Sequence, residues 1–498
     1  MGTGISLGIG IPFTRRMGAG IDAQAQAHYD RVIADGGLIP SGLVGVNNFF
    51  KTVKAIYGTS DITTAISVGL DAQVLGYKLG AGAGTTAGQA AQKLYSCSGS
   101  SGDVVQTTAA SQPLLLTHTS GENYYQGVGV TGNFVSTPNS AANSNNGNKE
   151  IIVKFSTNDT TSSSDIVSKD EVGSNRAYAI LYDHSSQRFS IVITTDLTST
   201  SVVNTDSGTI LRNYAGWYKV TFTFSAGVLS IRTYESLDNI NYTQVGSTIT
   251  RNGNNFIGTN AILNIGSRSS TFGSCIAKIY RVTISNSIGG TPAVDFNPNS
   301  YNAATSQTQW TSSTGEIWSI QTGTATTGYK GVLVDRTIMQ GDGVDDLLIN
   351  AIVRPNILTQ YLATNTYTND NSGNAVLVDS NSGSYLNSIV AFTSIVGNIM
   401  NGFASDLTKA KSANVVYLVT TSNNSGVKNA ISVNNGTETT NAYTPALSGN
   451  GISILSRSSG GTKANALIRT YLLSNAQDDS TVRTAMYNII RSINNSAF

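Results

Sequence analysis

Residues 263–286 read LNIGSRSSTFGSCIAKIYRVTISN, and residues 452–475 read ISILSRSSGGTKANALIRTYLLSN. Ser267-Arg268-Ser269-Ser270 falls on Ser456-Arg457-Ser458-Ser459 without a gap. The same register then carries Ala277 onto Ala466, Ile279 onto Ile468 and Ser285-Asn286 onto Ser474-Asn475. Four identical residues arise by chance in a serine-rich chain, but agreement held in register over about two dozen marks an internal repeat. A second anchor lies upstream of each copy. Gln106-Thr107-Thr108-Ala109 leads to Gln126-Gly127-Val128-Gly129-Val130, as Gln321-Thr322-Gly323-Thr324-Ala325 leads to Gln340-Gly341-Asp342-Gly343-Val344. The sequence therefore predicts two domains of one kind, each of about 200 residues.

Between these anchors the pattern is β. KEIIVKFS (149–156) reads as a strand, and residues 176–196 as a hairpin turning at 183–187. In residues 216–236, Tyr218, Val220, Phe222 and Phe224 alternate with Lys219, Thr221 and Thr223, giving one buried and one hydroxyl-rich face before a turn at Ser225-Ala226-Gly227. Residues 375–380 and 414–422 supply strands of the second copy. Successive antiparallel strands on short turns predict a mainly β fold of two tandem sandwiches.

The flanks differ. Residues 1–20 are glycine-rich and apolar and suit an extended arm ordered by a partner. Residues 21–60 read as a small helical adaptor, with Ser41 capping a second helix whose Leu43, Val46, Phe50, Val53 and Tyr57 share a face. At the end, Asp478 or Ser480 can cap a helix with Val482, Met486, Ile489 and Ile493 on one face, packed on its own sandwich. The predicted division is 1–20 arm, 21–60 adaptor, 61–290 first sandwich and 291–498 second sandwich with a C-terminal helix.

Charged residues are only 12% of the 498, well below the roughly 25% of an average soluble chain. Ser, Thr and Asn take their place, and a net charge of +1 leaves no electrostatic footprint for nucleic acid. No apolar run reaches the roughly 20 residues of a membrane span. At the N-terminus, Arg15 and Arg16 follow the apolar part rather than precede it, which argues against a secretory signal. Cys97 and Cys275 read as two unpaired thiols, with one disulfide as the alternative.

The chemistry-bearing residues are sparse. His28, His118 and His184 are scattered, and read as one helix-surface and two loop histidines outside any hydrolase motif. Gly82–Ala87 spells G-x-G-x-x-A but lacks a strand–turn–helix context, so it reads as a flexible turn. Asp342, Asp345 and Asp346 form the tightest acid cluster of the second copy and are candidate Ca²⁺ ligands, although an outward-facing turn explains them equally. No other cofactor is expected. Asn369–Gly373 resembles a short calcium loop without its terminal Glu and reads as a hairpin turn. Trp310 and Trp318 are expected in the core.

Taken together, the repeats resemble the concanavalin A-like, laminin G-like jelly roll. The resemblance rests on Gln106–Pro113, Gln126–Val130, Trp217–Phe224 and Ile276–Asn286, with a fuller Gln340–Asp346 element in copy two. Copy one has Thr131-Gly132 where copy two has Asp345-Asp346, and Tyr417 stands for the tryptophan in copy two. The whole arrangement is similar to fibre proteins of tailed phages, including crAss-like phages. That resemblance implies a non-enzymatic virion fibre or decoration protein, made in the bacterial cytoplasm and exposed on the particle. Its arm, through Ile5, Leu7, Ile9, Ile11, Phe13, Arg15 and Arg16, would dock on capsid or tail proteins. The sandwiches would assemble as a homo-oligomer (dimer or trimer) and face host-surface glycans. A ligand-free spacer and a surface-glycan hydrolase are the alternatives.

Overall fold

A computed structural model describes residues 20–80, 89–118, 122–157, 163–171, 175–196, 201–204, 216–257, 260–301, 309–322, 329–342, 344–353, 357–366, 375–379, 388–391, 395–399, 407–410, 417–424, 428–441, 450–455 and 466–494. The arm residues Ile5 to Arg16, the 82–87 glycine run, residues 369–373 and the second SRSS copy lie outside them.

The described strands are all paired antiparallel, in two eight-stranded sheets and one seventeen-stranded system folded into two layers. The two eight-stranded sheets form one sandwich from residues 124–334, and the seventeen strands form the other. Two antiparallel sandwiches are therefore present, as the repeat predicts. Their cores are those the alternation indicates: Tyr218, Val220 and Phe222 face Tyr178, Tyr182 and Phe189 in one, while Leu362, Val419, Tyr471 and Leu473 fill the other.

The partition of the chain differs from the expected break near residue 290. The strands Ile66–Asp71, Val104–Val105 and Leu114–Leu116 pair with Ala466–Ser474, Leu348–Val353 and Ile338–Gln340 of copy two, and Gln89–Leu94 joins them through Val104–Val105 and Leu114–Leu116. Conversely, Val294–Phe296, Ile317–Thr322 and Val332–Val334 pair with Lys278–Ser285, Asn133–Thr137 and Tyr124–Gln126 of copy one. Each repeat thus gives its lead-in to the other repeat's body. The sandwich of residues 124–334 is contiguous and inserted; the other is split around it. The reason is local: Leu114–Leu116 and Tyr124–Gln126, though close in sequence, each find their antiparallel partner across the Val332–Gln340 turn. A small core of Leu114, Leu116, Tyr124, Val334, Ile338 and Leu467 fills this double crossing.

The repeat register holds in three dimensions in the strands Lys278–Ser285 and Ala466–Ser474. Ile279 pairs with Tyr125 as Ile468 pairs with Met339, and both strands bulge at the next residue, Tyr280 or Arg469.

Helix α1 (Ala23–Ala34) is capped by Asp22, whose Oδ1 accepts from Gln24 and Ala25 N–H. Helix α2 (Gly42–Tyr57) buries Val46, Phe49, Phe50 and Val53, but Ser41 makes no side-chain capping bond. It ends at Gly58, whose left-handed φ of 62° needs no Cβ. The short α3 (Ile62–Ala65) leads into Ile66–Asp71. Helix α4 (Ser480–Ile493) is capped by Asp479, not by Asp478 or Ser480. Its buried residues are Met486 and Ile490. Asp478 turns inward instead and accepts from the Tyr57 and Tyr361 hydroxyls, each at 2.6 Å.

Helices α2 and α4 lie on one outer face of the split sandwich. Tyr361, Ala363, Leu418 and Leu472 alternate with the interior residues and share a core with Phe49, Phe50, Met486 and Ile490. Apolar residues on both faces of Ala466–Ser474 follow from this covering.

Candidate functional sites

The acid cluster forms where Ile338–Gln340 turns into Leu348–Val353. Asp342 Oδ1 accepts from Val344 N–H at 2.7 Å, closing the turn. Asp346 is buried, accepts from Asp342 N–H at 2.9 Å and receives the Tyr329 hydroxyl at 3.3 Å. Asp345 Oδ2 accepts from Ser111 Oγ at 3.2 Å. One oxygen from each of Asp342, Asp345 and Asp346 lies within 4.8 Å of the others. Burial, then the charge of Asp342, pushes the Asp346 carboxyl up to about 8. The same surroundings raise Tyr329. An all-oxygen, carboxylate-rich donor set fits a hard divalent cation, which would replace the proton Asp346 otherwise holds. The site is completed by Ser111 from the exchanged lead-in, a contribution the sequence did not reveal.

The corresponding turn of the inserted sandwich carries no such charge. Leu348 pairs with Ile454 as Val135 pairs with Ile265, which sets Asn133 at the place of Asp346. Asn133 is likewise buried, and its Oδ1 accepts from Gly331 N–H at 3.1 Å.

A second candidate lies on the outer face of the sheet containing Gly216–Ser225. Trp217 stands opposite Lys154, and Lys219 stands between Ile152 and Tyr234. Lys154 Nζ sits 5.2 Å from the Trp217 ring centre and 5.6 Å from that of Tyr280, with Glu122 as its ion partner. Lys219 Nζ sits 4.9 Å from Tyr234 and 4.1 Å from Tyr242, with Glu150 at 3.8 Å. Trp217, Tyr234 and Tyr242 are half-buried, Tyr280 is buried, and the lysines keep part of their side chains in solvent. The equivalent face of the split sandwich is the one covered by helices. There Leu418, not Tyr417, takes the place of Trp217: Leu418 pairs with Ala363 as Trp217 pairs with Lys154.

Of the histidines, His118 and His184 lie in a loop and a turn as the sequence suggests, whereas His28 is on a helix but not at its surface. His28 is buried against Phe50, with Nε2 at 2.8 Å from Leu75 O, and burial lowers its pKa to about 4. His184 is buried and lies 2.8 Å from Ser164 Oγ. That Ser–His contact is sealed in the core, where Ser164 Oγ also accepts from Ile276 N–H. Arg268 of the SRSS stretch reaches across strands to Asp165 at 3.3 Å and Asp170 at 3.9 Å, with Phe272 over its guanidinium. Burial raises both carboxyls, that of Asp165 to about 6, and the arginine opposes the rise. Trp310 and Trp318 are core residues, as expected. Cys97 and Cys275 are free, buried thiols, and burial pushes each up to about 12. No described helix is long and apolar enough to cross a membrane.

No protein-family model matches the sequence, and no curated protein matches it. Among solved structures, the chain is similar to the LG1-3 region of the laminin alpha2 chain, with 8% identity over 79% of this chain and 68% of that chain and a TM-score of 0.27. It is similar to domains LG4-5 of the mouse laminin alpha1 chain, with 12% identity over 74% of this chain and 95% of that chain and a TM-score of 0.27. It is also similar to the Ruminococcus gnavus IT-sialidase CBM40 bound to alpha2,3 sialyllactose, with 11% identity over 32% of this chain and 90% of that chain and a TM-score of 0.25. The sandwich architecture itself rests on the strand pairing described above.

Proposed function

We propose that this chain is a carbohydrate-binding sandwich protein that uses the bare sheet face around Trp217, Tyr234 and Tyr242. The observation that carries this reading is the contrast between equivalent faces: helices cover Leu418 and Ala363, whereas Trp217 and Lys154 stand half-open. Aromatic rings offer flat apolar surface to the C–H face of a sugar, and neighbouring ammonium and carboxylate groups bond its hydroxyls. Lys154, Lys219, Glu122 and Glu150 supply those groups beside the rings. No catalysis is proposed, because the Ser164–His184 pair is closed off and the Asp165–Asp170 pair is engaged by Arg268.

The wider setting proposed is a phage virion. The glycine-rich arm of residues 1–20 would anchor a homo-oligomeric fibre or decoration protein to capsid or tail, with the inserted sandwich presented to host-surface glycan. The sequence resemblance supports this reading. The carboxylates of Asp342, Asp345 and Asp346 would hold Ca²⁺ as a structural cation.

A glycan array probed with the full chain tests the binding reading. Binding to a defined set of polysaccharides that falls at least tenfold in Trp217→Ala is expected; absence of binding to any host glycan would sink it. Glycan cleavage by the purified chain would favour the hydrolase alternative instead. Virions carrying a chain without residues 1–20 should lose the protein, and retention would refute the anchor.

A further inference from the structure

The inserted sandwich holds two lysines pointing into its interior from facing sheets. Lys149 pairs with Phe222 and Lys169 with Tyr178, and those two rings meet between the sheets with centres 6.1 Å apart. Both lysines are fully buried. Among the described residues, no carboxylate forms an ion pair with either. Lys149 Nζ donates to Asn286 Oδ1 at 3.2 Å. Lys169 Nζ reaches Asn139 Oδ1 at 2.8 Å, Asn143 Oδ1 at 2.9 Å and Ala261 O at 2.7 Å.

Of these partners Asn143 is arranged as an electrophile. It is fully buried, its Oδ1 also accepts from Ser140 N–H at 3.1 Å, and its Nδ2 donates to Pro138 O at 3.0 Å. A backbone N–H on the amide oxygen is the device that stabilises negative charge on a tetrahedral intermediate. An amine becomes a nucleophile when burial and a neighbouring cation favour its neutral form. Burial, followed by the charge of Lys149, lowers Lys169 to about 7, and burial lowers Lys149 to about 8.

We propose that Lys169 and Asn143 join in an intramolecular isopeptide bond. The Nζ lone pair of neutral Lys169 forms a bond to Cγ of Asn143, and the Ser140 N–H steadies the oxyanion. The Cγ–Nδ2 bond then breaks, one proton passes from Nζ to Nδ2, and ammonia leaves. Atoms and charge balance without an oxidant, reductant or co-reactant. The product would staple Ser163–Glu171 of one sheet to the loop that precedes Lys149–Ser156 of the other, closing one end of the sandwich covalently.

The test reads the wild-type protein directly, so no variant needs to fold for it to decide. The intact mass of the purified full chain should lie one ammonia below the sequence mass. After tryptic digestion, the peptide containing Lys169 should be uncleaved there and joined to the peptide containing Asn143. Lys169→Arg and Asn143→Ala should each restore the full mass completely, whereas Asn139→Ala should keep the loss. A wild-type chain at full sequence mass overturns the proposal, and a linkage ending on Asn139 overturns the assignment to Asn143.

Discussion

The two sandwiches share strand order, register and even a bulge, yet one is contiguous and bare while the other is split and covered. Position for position, Trp217 faces Leu418, Lys154 faces Ala363, Ile152 faces Tyr361 and Thr283 faces Leu472 across the pseudo-repeat. Ala363, Leu418, Leu472 and the Tyr361 ring on the split sandwich share a core with helices α2 and α4, whereas Lys154 and Trp217 on the inserted sandwich lie under no described helix. The interior decides that each repeat is a sandwich. The outer face decides what each repeat meets. At the turn, Asp346 against Asn133 makes the same point with one charge.

The largest expected effect breaks the comparison at its root. A chain beginning at residue 117 lacks every lead-in strand of the split sandwich and none of the inserted one. Limited proteolysis and NMR should show residues 124–334 folded and residues 338–494 unfolded; protection of both would refute the exchanged pairing. Next come the equivalent residues. Leu418→Ala should cost about 2–5 kcal/mol in urea unfolding, because it opens a cavity beneath α4. Trp217→Ala, half-open and uncovered, should stay within about 1 kcal/mol while glycan binding falls at least tenfold. Equal destabilisation of the two would show that the Trp217 face is buried too.

The smallest effect concerns the acid turn. The Asp346 pKa is raised to about 8, so between about pH 4 and pH 8 the folded chain keeps a proton that the unfolded chain has released. Stability from this group is therefore full below about pH 4 and declines as pH rises toward 8. Asp346→Asn, which copies Asn133, should flatten that decline in thermal melts. Ca²⁺ should raise Tm most near pH 8, and an unchanged Tm would remove the cation from the proposal.

Much of the fold is written in the periodicity. The Tyr218–Phe224 alternation and the SRSS register name the strands, because a half-buried strand must alternate and a repeated strand must repeat. The exchange of lead-ins is not written there. Gln106 and Gln321 open equivalent segments, and equivalent segments fit either body, so proximity in sequence pointed to the wrong partner. The acid turn is legible because its three aspartates are local, whereas Ser111 and Tyr329 arrive through the fold. His28 misleads for the same reason: its carbonyl partner, Leu75, lies on a loop after a later strand. Lys149 and Lys169 sit at interior places of their strands, a signal visible in the alternation once the facing strands are known.

The double crossing has a mechanical meaning. Two domains joined by one linker swivel about it, but these sandwiches are joined by two covalent paths, one between Leu116 and Tyr124 and one between Val334 and Ile338. The turn at residues 335–337 is pinned to the split sandwich by Arg336 on Asp71 and by Arg469 on Asp335. Torque applied to one sandwich therefore meets a paired strut rather than a pivot. A pull entering through the helices would therefore load both connections at once on its way to the Trp217 face.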